Sequence, residues 1–409
     1  MSSSPSLLTR PWFRVAAGLF AVAWGGNQFT PLLVMYRQLD HMDPTTVYML
    51  LGVYVLGIIP GLLLGGPASD RFGRRALMLP APFIAGLGSL LLAIGPHSVG
   101  LLAAGRLLTG LALGLAMAVG SSWIKELSGA PFDAKATPLA GARRGSVSLT
   151  VGFALGAAVA AGLAQWGPAP TATPYIVNIA LCVLCGLWQL PSPETAGPGH
   201  GHAVPTGILD ALTVPAAGER RFLLVVVPMA AWIFGTNAVA YAILPNLLMG
   251  KVEGAPIGFS GLMTLVALGC GFVTQQFAGR VQKEGSSRGL VVAMAVAAVG
   301  MGLAALTAVT TSVAMGLVAA AVLGVSYGFL ILGGLREVQA IARPEDLAGL
   351  TGVFYSIGYL GFFIPMALSM LSAWIPYPVL LVSGLGVALI ALAIIAAGGR
   401  LDPRARLKA

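Results

Sequence analysis

Apolar residues run along the chain in long blocks parted by short polar or charged breaks, and the blocks exceed the stripe of a soluble amphipathic helix. At 1.5 Å per residue, about 20 apolar residues cross roughly 30 Å of hydrocarbon, so each charge-free gap predicts a span. One span lies between Arg14 and Arg37, with Ala16–Tyr36 expected to act as an uncleaved signal-anchor, and a second at about 47–67. Ala76–Trp123 holds two, parted by Gly95-Pro96-His97-Ser98, and Gly145–Leu190 holds two more, parted by Trp166-Gly167-Pro168-Ala169-Pro170. The second half predicts six: Phe222–Met249, Pro256–Gly279, Gly289–Thr310, Ser312–Leu335, Leu347–Ser372 and Pro376–Gly398. The prediction is an all-α integral membrane protein of twelve transmembrane helices in two six-helix bundles, 1–190 and 220–409. A cytoplasmic linker, 191–219, rich in Pro, Gly and His, joins them.

Composition agrees. With 57% hydrophobic and 9% charged residues, against about 25% charged in soluble proteins, the chain is not a soluble globular domain. Its net charge of +9 points to topology rather than nucleic acid, because the basic residues sit between apolar blocks. A cytoplasmic N-terminus collects 20 of the 23 Lys and Arg on the inner side, leaving Arg37 and Lys251 outside and Arg106 within a span. Both termini are therefore expected in the cytoplasm, as in a multi-pass protein of a bacterial cell membrane. Cys182, Cys185 and Cys270 lie in apolar blocks and suggest neither a disulfide framework nor a metal site. Gly110, Gly114 and Gly120 of the fourth span recur at constant offset as Gly324, Gly328 and Gly334 of the tenth, which suggests duplicated halves.

After the second span the chain reads Gly66-Pro67-Ala68-Ser69-Asp70-Arg71-Phe72-Gly73-Arg74-Arg75. Glycine permits close helix approach and a tight turn, and Asp70 can accept from a helix N-terminus or pair with a guanidinium. This stretch resembles the signature loop of the major facilitator superfamily, a glycine, three residues, Asp-Arg, one residue and Gly-Arg-Arg, in the place where that family carries it. The resemblance covers nearly the whole chain. It implies that Asp70, Arg71 and Arg74 form a conformational latch that breaks during alternating access. Gly66, Gly73, Glu126, Arg144 and Glu337 are expected to belong to it. The plainer reading is a positive-inside anchor, which uses the cations but not Asp70 or the glycines. Arg343-Pro344-Glu345-Asp346, before the eleventh span, is an expected docking partner. The second-half copy of the loop, Gly279-Arg280-Val281-Gln282-Lys283-Glu284, lacks the aspartate, so the latch is expected to be asymmetric.

Arg106, in Gly105-Arg106-Leu107-Leu108-Thr109-Gly110, resembles the arginine motif of the family's fourth span, with Thr109 where glutamine is usual. A guanidinium in the bilayer interior costs at least about 2.5 kcal/mol, so it marks a functional site or a helix bonded to its own carbonyls. The family architecture implies that spans one, four, seven and ten surround the pathway and three, six, nine and twelve face lipid. Asn27, Gln28 and Thr30, then Thr236, Asn237 and Tyr241, then Ser326 and Tyr327 follow that division. With Trp232, Phe234, Tyr355 and Tyr359 they describe an aromatic pocket with a few polar groups and one cation. Any one of them is equally an ordinary helix-packing residue. The expected substrate contacts are Asn27, Gln28, Arg106, Trp232, Asn237, Tyr241, Tyr327 and Tyr355.

No Asp or Glu lies deep in a span: Asp40, Asp43 and Glu253 fall in outer loops, and Glu126 and Glu337 at inner ends. Protons as coupling ion, a uniporter and a substrate carrying its own proton all stay open. His200 and His202 are assigned no metal, no cofactor is expected, and no hydrolytic set of residues supports an enzyme. The expected function is a monomeric secondary transporter of small molecules in the lipid bilayer, resembling bacterial drug-efflux members and exporting amphipathic compounds. The fifth span, Gly152-Phe153-Ala154-Leu155-Gly156-Ala157, lacks the Gly-Pro pair usual in drug-proton antiporters. The alternatives are uptake or uniport of a small organic anion or nutrient with Arg106 as counter-charge, and a permease-like receptor that binds without transport.

Overall fold

The structure is a computed structural model that describes residues 7–39, 41–137, 139–196, 214–281, 287–343 and 346–401. Asp40, His200, His202, Pro344, Glu345, residues 282–286 of the second-half loop and the basic tail beyond 401 lie outside the described residues. Among the described residues the regular structure is all helix, as a bilayer requires of a chain whose backbone groups must bond within each segment. The rods are α1 (Pro11–Leu39), α2 (Pro44–Phe72), α3 (Arg74–Ile94), α4 (Val99–Leu127), α5 (Ala140–Trp166) and α6 (Thr173–Gln189). The second half adds α7 (Phe222–Lys251), α8 (Pro256–Val281), α9 (Arg288–Thr310), α10 (Val313–Ile341), α11 (Leu347–Leu371) and α12 (Tyr377–Leu401). Ten of these are long and apolar enough to cross a membrane; α6 is shorter at 17 residues, and α1 carries a polar centre at Asn27, Gln28 and Thr30.

The predicted breaks appear as helix ends. Ser98 caps α4 by accepting from the Leu101 amide, and α5 ends at Gly167. Three rods change winding internally. A π segment, Ala116–Gly120, interrupts α4, another, Phe222–Val226, opens α7, a third, Val239–Ile243, interrupts α7, and a 3-10 turn, Leu360–Phe363, interrupts α11. Such segments often mark functional stretches of a helix.

Contacts divide the chain into two compact units, Met1–Phe29 with Val53–Leu212, and Thr30–Gly52 with Thr213–Ala409. In the first, α4 packs on α3 and α2, and α3 packs on α6; in the second, α10 packs on α9 and α8, and α9 on α12. The glycine repeat carries this parallel. A Cβ on Gly110 would overlap the Tyr54 carbonyl, and one on Gly114 the Ile58 carbonyl. In the second unit Gly324 meets Ala267 and Gly328 meets Gly271, partners displaced by the same 213 residues. Backbones therefore approach directly at α2–α4 and α8–α10, where any side chain would hold them apart. The third pair breaks the pattern: Gly120 faces the Met78 sulfur, whereas Gly334 faces Phe354 and Met229.

Large apolar side chains are exposed along α6 (Ile176, Leu184), α9 (Val299, Val309) and α12 (Val382, Ile390), while α7 is largely enclosed. That is the inverse of a soluble domain.

Candidate functional site

The loop between α2 and α3 closes on itself through charge. Gly73 adopts φ 95°, a left-handed conformation that suits glycine, and starts the short helix Arg74–Met78. The turn brings the Arg74 guanidinium 2.6 Å from Asp70, beside the Ser69 hydroxyl, and 3.0 Å from Glu126 at the end of α4. The chain after α6 then seals the group. Glu194 accepts from the backbone amides of Arg74 (2.9 Å) and Arg75 (3.0 Å), Thr195 donates to Glu126, and Arg75 donates to the Leu190 carbonyl. The indole of Trp123 donates to the Pro193 carbonyl (3.0 Å), which fixes this strap against α4. Partial burial alone would raise the Glu194 carboxyl; four backbone N–H bonds, from Arg75, Ala196, Arg74 and Thr195, outweigh it and hold the group below its ordinary value.

Four expected latch residues are placed elsewhere. Arg144 pairs with Asp133 at 2.9 Å and stacks on Trp12, because the first turn of α5 faces α1 and the preceding loop. Arg71 is exposed and lies over Phe72. Gly66 makes no close approach, since nothing lies within 4 Å of where its Cβ would be; Gly57 and Gly61 take that role against α4. In the second unit Glu337 is buried and pairs with Arg221 at 2.7 Å. Glu194 falls in the stretch whose composition reads as a linker, so the sequence alone assigns it no role. Its signal was an acid after two prolines at the end of a span.

In the middle of the first unit, Arg106 is 1% exposed, its guanidinium carbon 3.9 Å from the Tyr54 ring centroid and 4.5 Å from that of Phe29. Two aromatic faces hold the cation, an arrangement worth about 2 kcal/mol or more where water is excluded. Asn27 donates to the Phe153 carbonyl (3.1 Å). Gln28 turns to packing instead. Its amide donates to Ser89 (3.1 Å) and Asn178 (3.4 Å), Ser89 donates to Asn178 (2.7 Å), and Asn178 donates to the Ala21 carbonyl (3.0 Å), joining α1, α3 and α6. Tyr54 and Phe29 were not foreseen, because an aromatic residue in an apolar span has no pattern that separates cage from core.

The second unit gathers the expected aromatics around Phe234 of α7. Tyr359 stacks on it at 4.1 Å, Phe362 lies at 5.4 Å and Tyr327 at 6.0 Å, and Tyr241 reaches Phe362 at 6.4 Å. Trp232 and Asn237 are buried on the same helix, just before the π segment Val239–Ile243. The Asn237 side-chain oxygen is buried without a hydrogen-bond partner, an acceptor with capacity to spare. Tyr355 packs on Phe354 at 5.3 Å.

Residues 15–366 match the model of a family described as the Major Facilitator Superfamily. The chain is 30% identical over 141 residues to "Probable inositol transporter 2" of Arabidopsis thaliana, covering 34% of this chain and 20% of that protein. It is 29% identical over 222 residues to the "3-(3-hydroxy-phenyl)propionate transporter" of Escherichia coli (strain K12), covering 53% of this chain and 50% of that protein. The matched stretches thus span half or less of those relatives. Among solved structures, a POT family transporter in complex with 5-aminolevulinic acid superposes with TM-score 0.76 at 13% identity, over 95% of this chain and 96% of that one, a likeness of fold.

Proposed function

Because this chain belongs to the major facilitator superfamily, we propose that it is a multi-pass membrane transporter whose substrate is a small organic carboxylate taken up with Arg106 as counter-charge. The carrying observation is the guanidinium buried between Tyr54 and Phe29. A cation so placed is expensive to keep in a membrane interior and is best explained by an anionic ligand. The hydroxylated aromatic acid in the name of one relative, and the polyol in that of another, fit solutes that need both a carboxylate partner and hydroxyl partners. Asn27, in the same unit as Arg106, is assigned to a hydroxyl group. Gln28 is left to helix packing. Arg74, Asp70, Glu126 and Glu194 form the clamp that orders the end of α2 through the transport cycle, with Gly73 as its turn.

The test is uptake of labelled 3-(3-hydroxyphenyl)propionate and of inositol into proteoliposomes, with and without an imposed pH gradient. Saturable carboxylate uptake, reduced at least tenfold in Arg106→Ala and partly kept in Arg106→Lys, is expected. A proton that travels on the substrate makes the flux follow the gradient without a buried acid. Inositol flux indifferent to competing carboxylates overturns the assignment. The aromatic cluster around Phe234 favours a second reading, export of amphipathic compounds, which gradient-driven efflux of a hydrophobic cation would establish instead.

A further inference from the structure

The end of the first unit that carries the Asp70–Arg74 loop holds a second charged group, apart from the Arg74 clamp. Asp133, in the loop before α5, accepts from Arg10 at 3.3 Å and pairs with Arg144 at 2.9 Å. The Arg144 guanidinium lies 3.8 Å from the Trp12 ring centroid. Trp12 packs edge-on against Phe13, and Phe13 against Trp188 at the end of α6. Arg14 stands one turn along from Arg10, its amide bonded to the Arg10 carbonyl. Two arginines therefore meet one carboxylate with a third one helical turn away, and the group stays positive.

Four of its N–H donors are buried with no hydrogen-bond partner: Nε of Arg10, Nε of Arg14, Nη1 of Arg144 and the Trp12 indole. Unmet donors are costly to enclose, so an acceptor belongs there that Asp133, already shared, does not supply. The side chains of Arg10 and Arg144 are 30% and 21% exposed, against 11% for Asp133, so both guanidinium groups can turn toward an oxyanion at the surface. Around the group, Leu7, Leu8, Phe132 and Leu139 are exposed, large and apolar. Cations with an indole, ringed by exposed apolar side chains at the end of a bundle, have the composition of a membrane–water interface.

We propose that Arg10, Trp12, Arg14 and Arg144 form a headgroup site for an anionic phospholipid. Its phosphate oxygens take the unmet donors, and its acyl chains lie against Leu7, Leu8 and Leu139. Asp133 holds the arginines when no lipid is bound and competes with the phosphate. This also explains why Arg144 stands apart from the Arg74 clamp.

The experiment titrates the purified full chain in detergent with phosphatidylglycerol, phosphatidylcholine or inorganic phosphate, reading the melting midpoint and retained lipid by native mass spectrometry. Phosphatidylglycerol is expected to bind and raise the midpoint where phosphatidylcholine does not. Basic residues near an anionic headgroup are worth about fivefold each, so Arg10→Gln with Arg144→Gln weakens binding roughly 25-fold. Asp133→Asn is expected to tighten it, and added salt to weaken it. Equal effects of the two lipids overturn the proposal, as does an unchanged affinity in the double variant. Weaker binding in Asp133→Asn, or indifference to salt, also overturns it and keeps the test decisive if the double variant does not fold. Protection by inorganic phosphate at the lipid's concentration assigns the donors to a free anion and overturns the lipid site.

Discussion

Replacing Glu194 by alanine removes a carboxylate that ties the chain after α6 to the start of α3. Its oxygens receive the Arg74 amide at 2.9 Å and the Arg75 amide at 3.0 Å, the first N–H groups of a helical turn, which have no partner within their own helix. They also receive the Thr195 amide at 2.9 Å and that of Ala196 at 3.1 Å, so the same side chain orders the strap that carries it. Loss of a capping side chain costs about 0.5–2 kcal/mol, and a charged acceptor lies above the middle of that range. Partial exposure brings the figure back to roughly 1–1.5 kcal/mol, or about a tenfold rise in local opening. Hydrogen–deuterium exchange read by mass spectrometry on peptides covering 70–79 is expected to quicken about tenfold in Glu194→Ala. Glu194→Gln, which keeps a neutral acceptor, should change it two- to threefold. Because the folded carboxyl lies below its ordinary value of 4.5, the clamp is complete above that pH and is lost as pH falls below it. The acid-induced loss of protection should therefore be present in the wild type and absent in Glu194→Ala, after correction for intrinsic exchange. Unchanged exchange at 70–79 in the alanine variant refutes the capping role.

Three further substitutions test the packing. Gly110→Val forces a side chain into the Tyr54 carbonyl and should cost about 1–3 kcal/mol or the folded yield, whereas Gly66→Ala, which meets nothing within 4 Å, should leave the melting midpoint unchanged or slightly higher. Thermal melting of the two variants in detergent compares them directly. Asn178→Ala strands the donors of Gln28 and Ser89 in the interior and should lower stability by about 1–3 kcal/mol, read by the same melting assay, with no selective effect on substrate affinity if Gln28 is a packing residue.

Much of this protein is determined locally. The helical rods and the breaks between them follow from block length and from Gly/Pro positions, because a backbone in lipid has no choice but helix. The Gly110/Gly114 and Gly324/Gly328 repeat was legible for the same reason: small residues at helical spacing are where backbones meet, and their partners prove equivalent in both halves. The turn at Gly73 and the pairing of Asp70 with Arg74, four residues apart, were likewise within reach of the motif. Partner choice over long sequence separations was not. Arg144 and Arg74 are both arginines at span ends, and only the tertiary fold sends one to Asp133 and the other to Glu126. Gln28 and Asn27 are neighbours on one helix, yet a rotation of about 100° per residue turns the first to α3 and α6 and the second to α5. Glu194 reads as linker until the end of α6 comes back to the α2–α3 turn, and Tyr54 reads as filler until Arg106 is found against its face. Sequence periodicity places a side chain on a face of its own helix; which helix that face meets depends on contacts between residues a hundred or more positions apart.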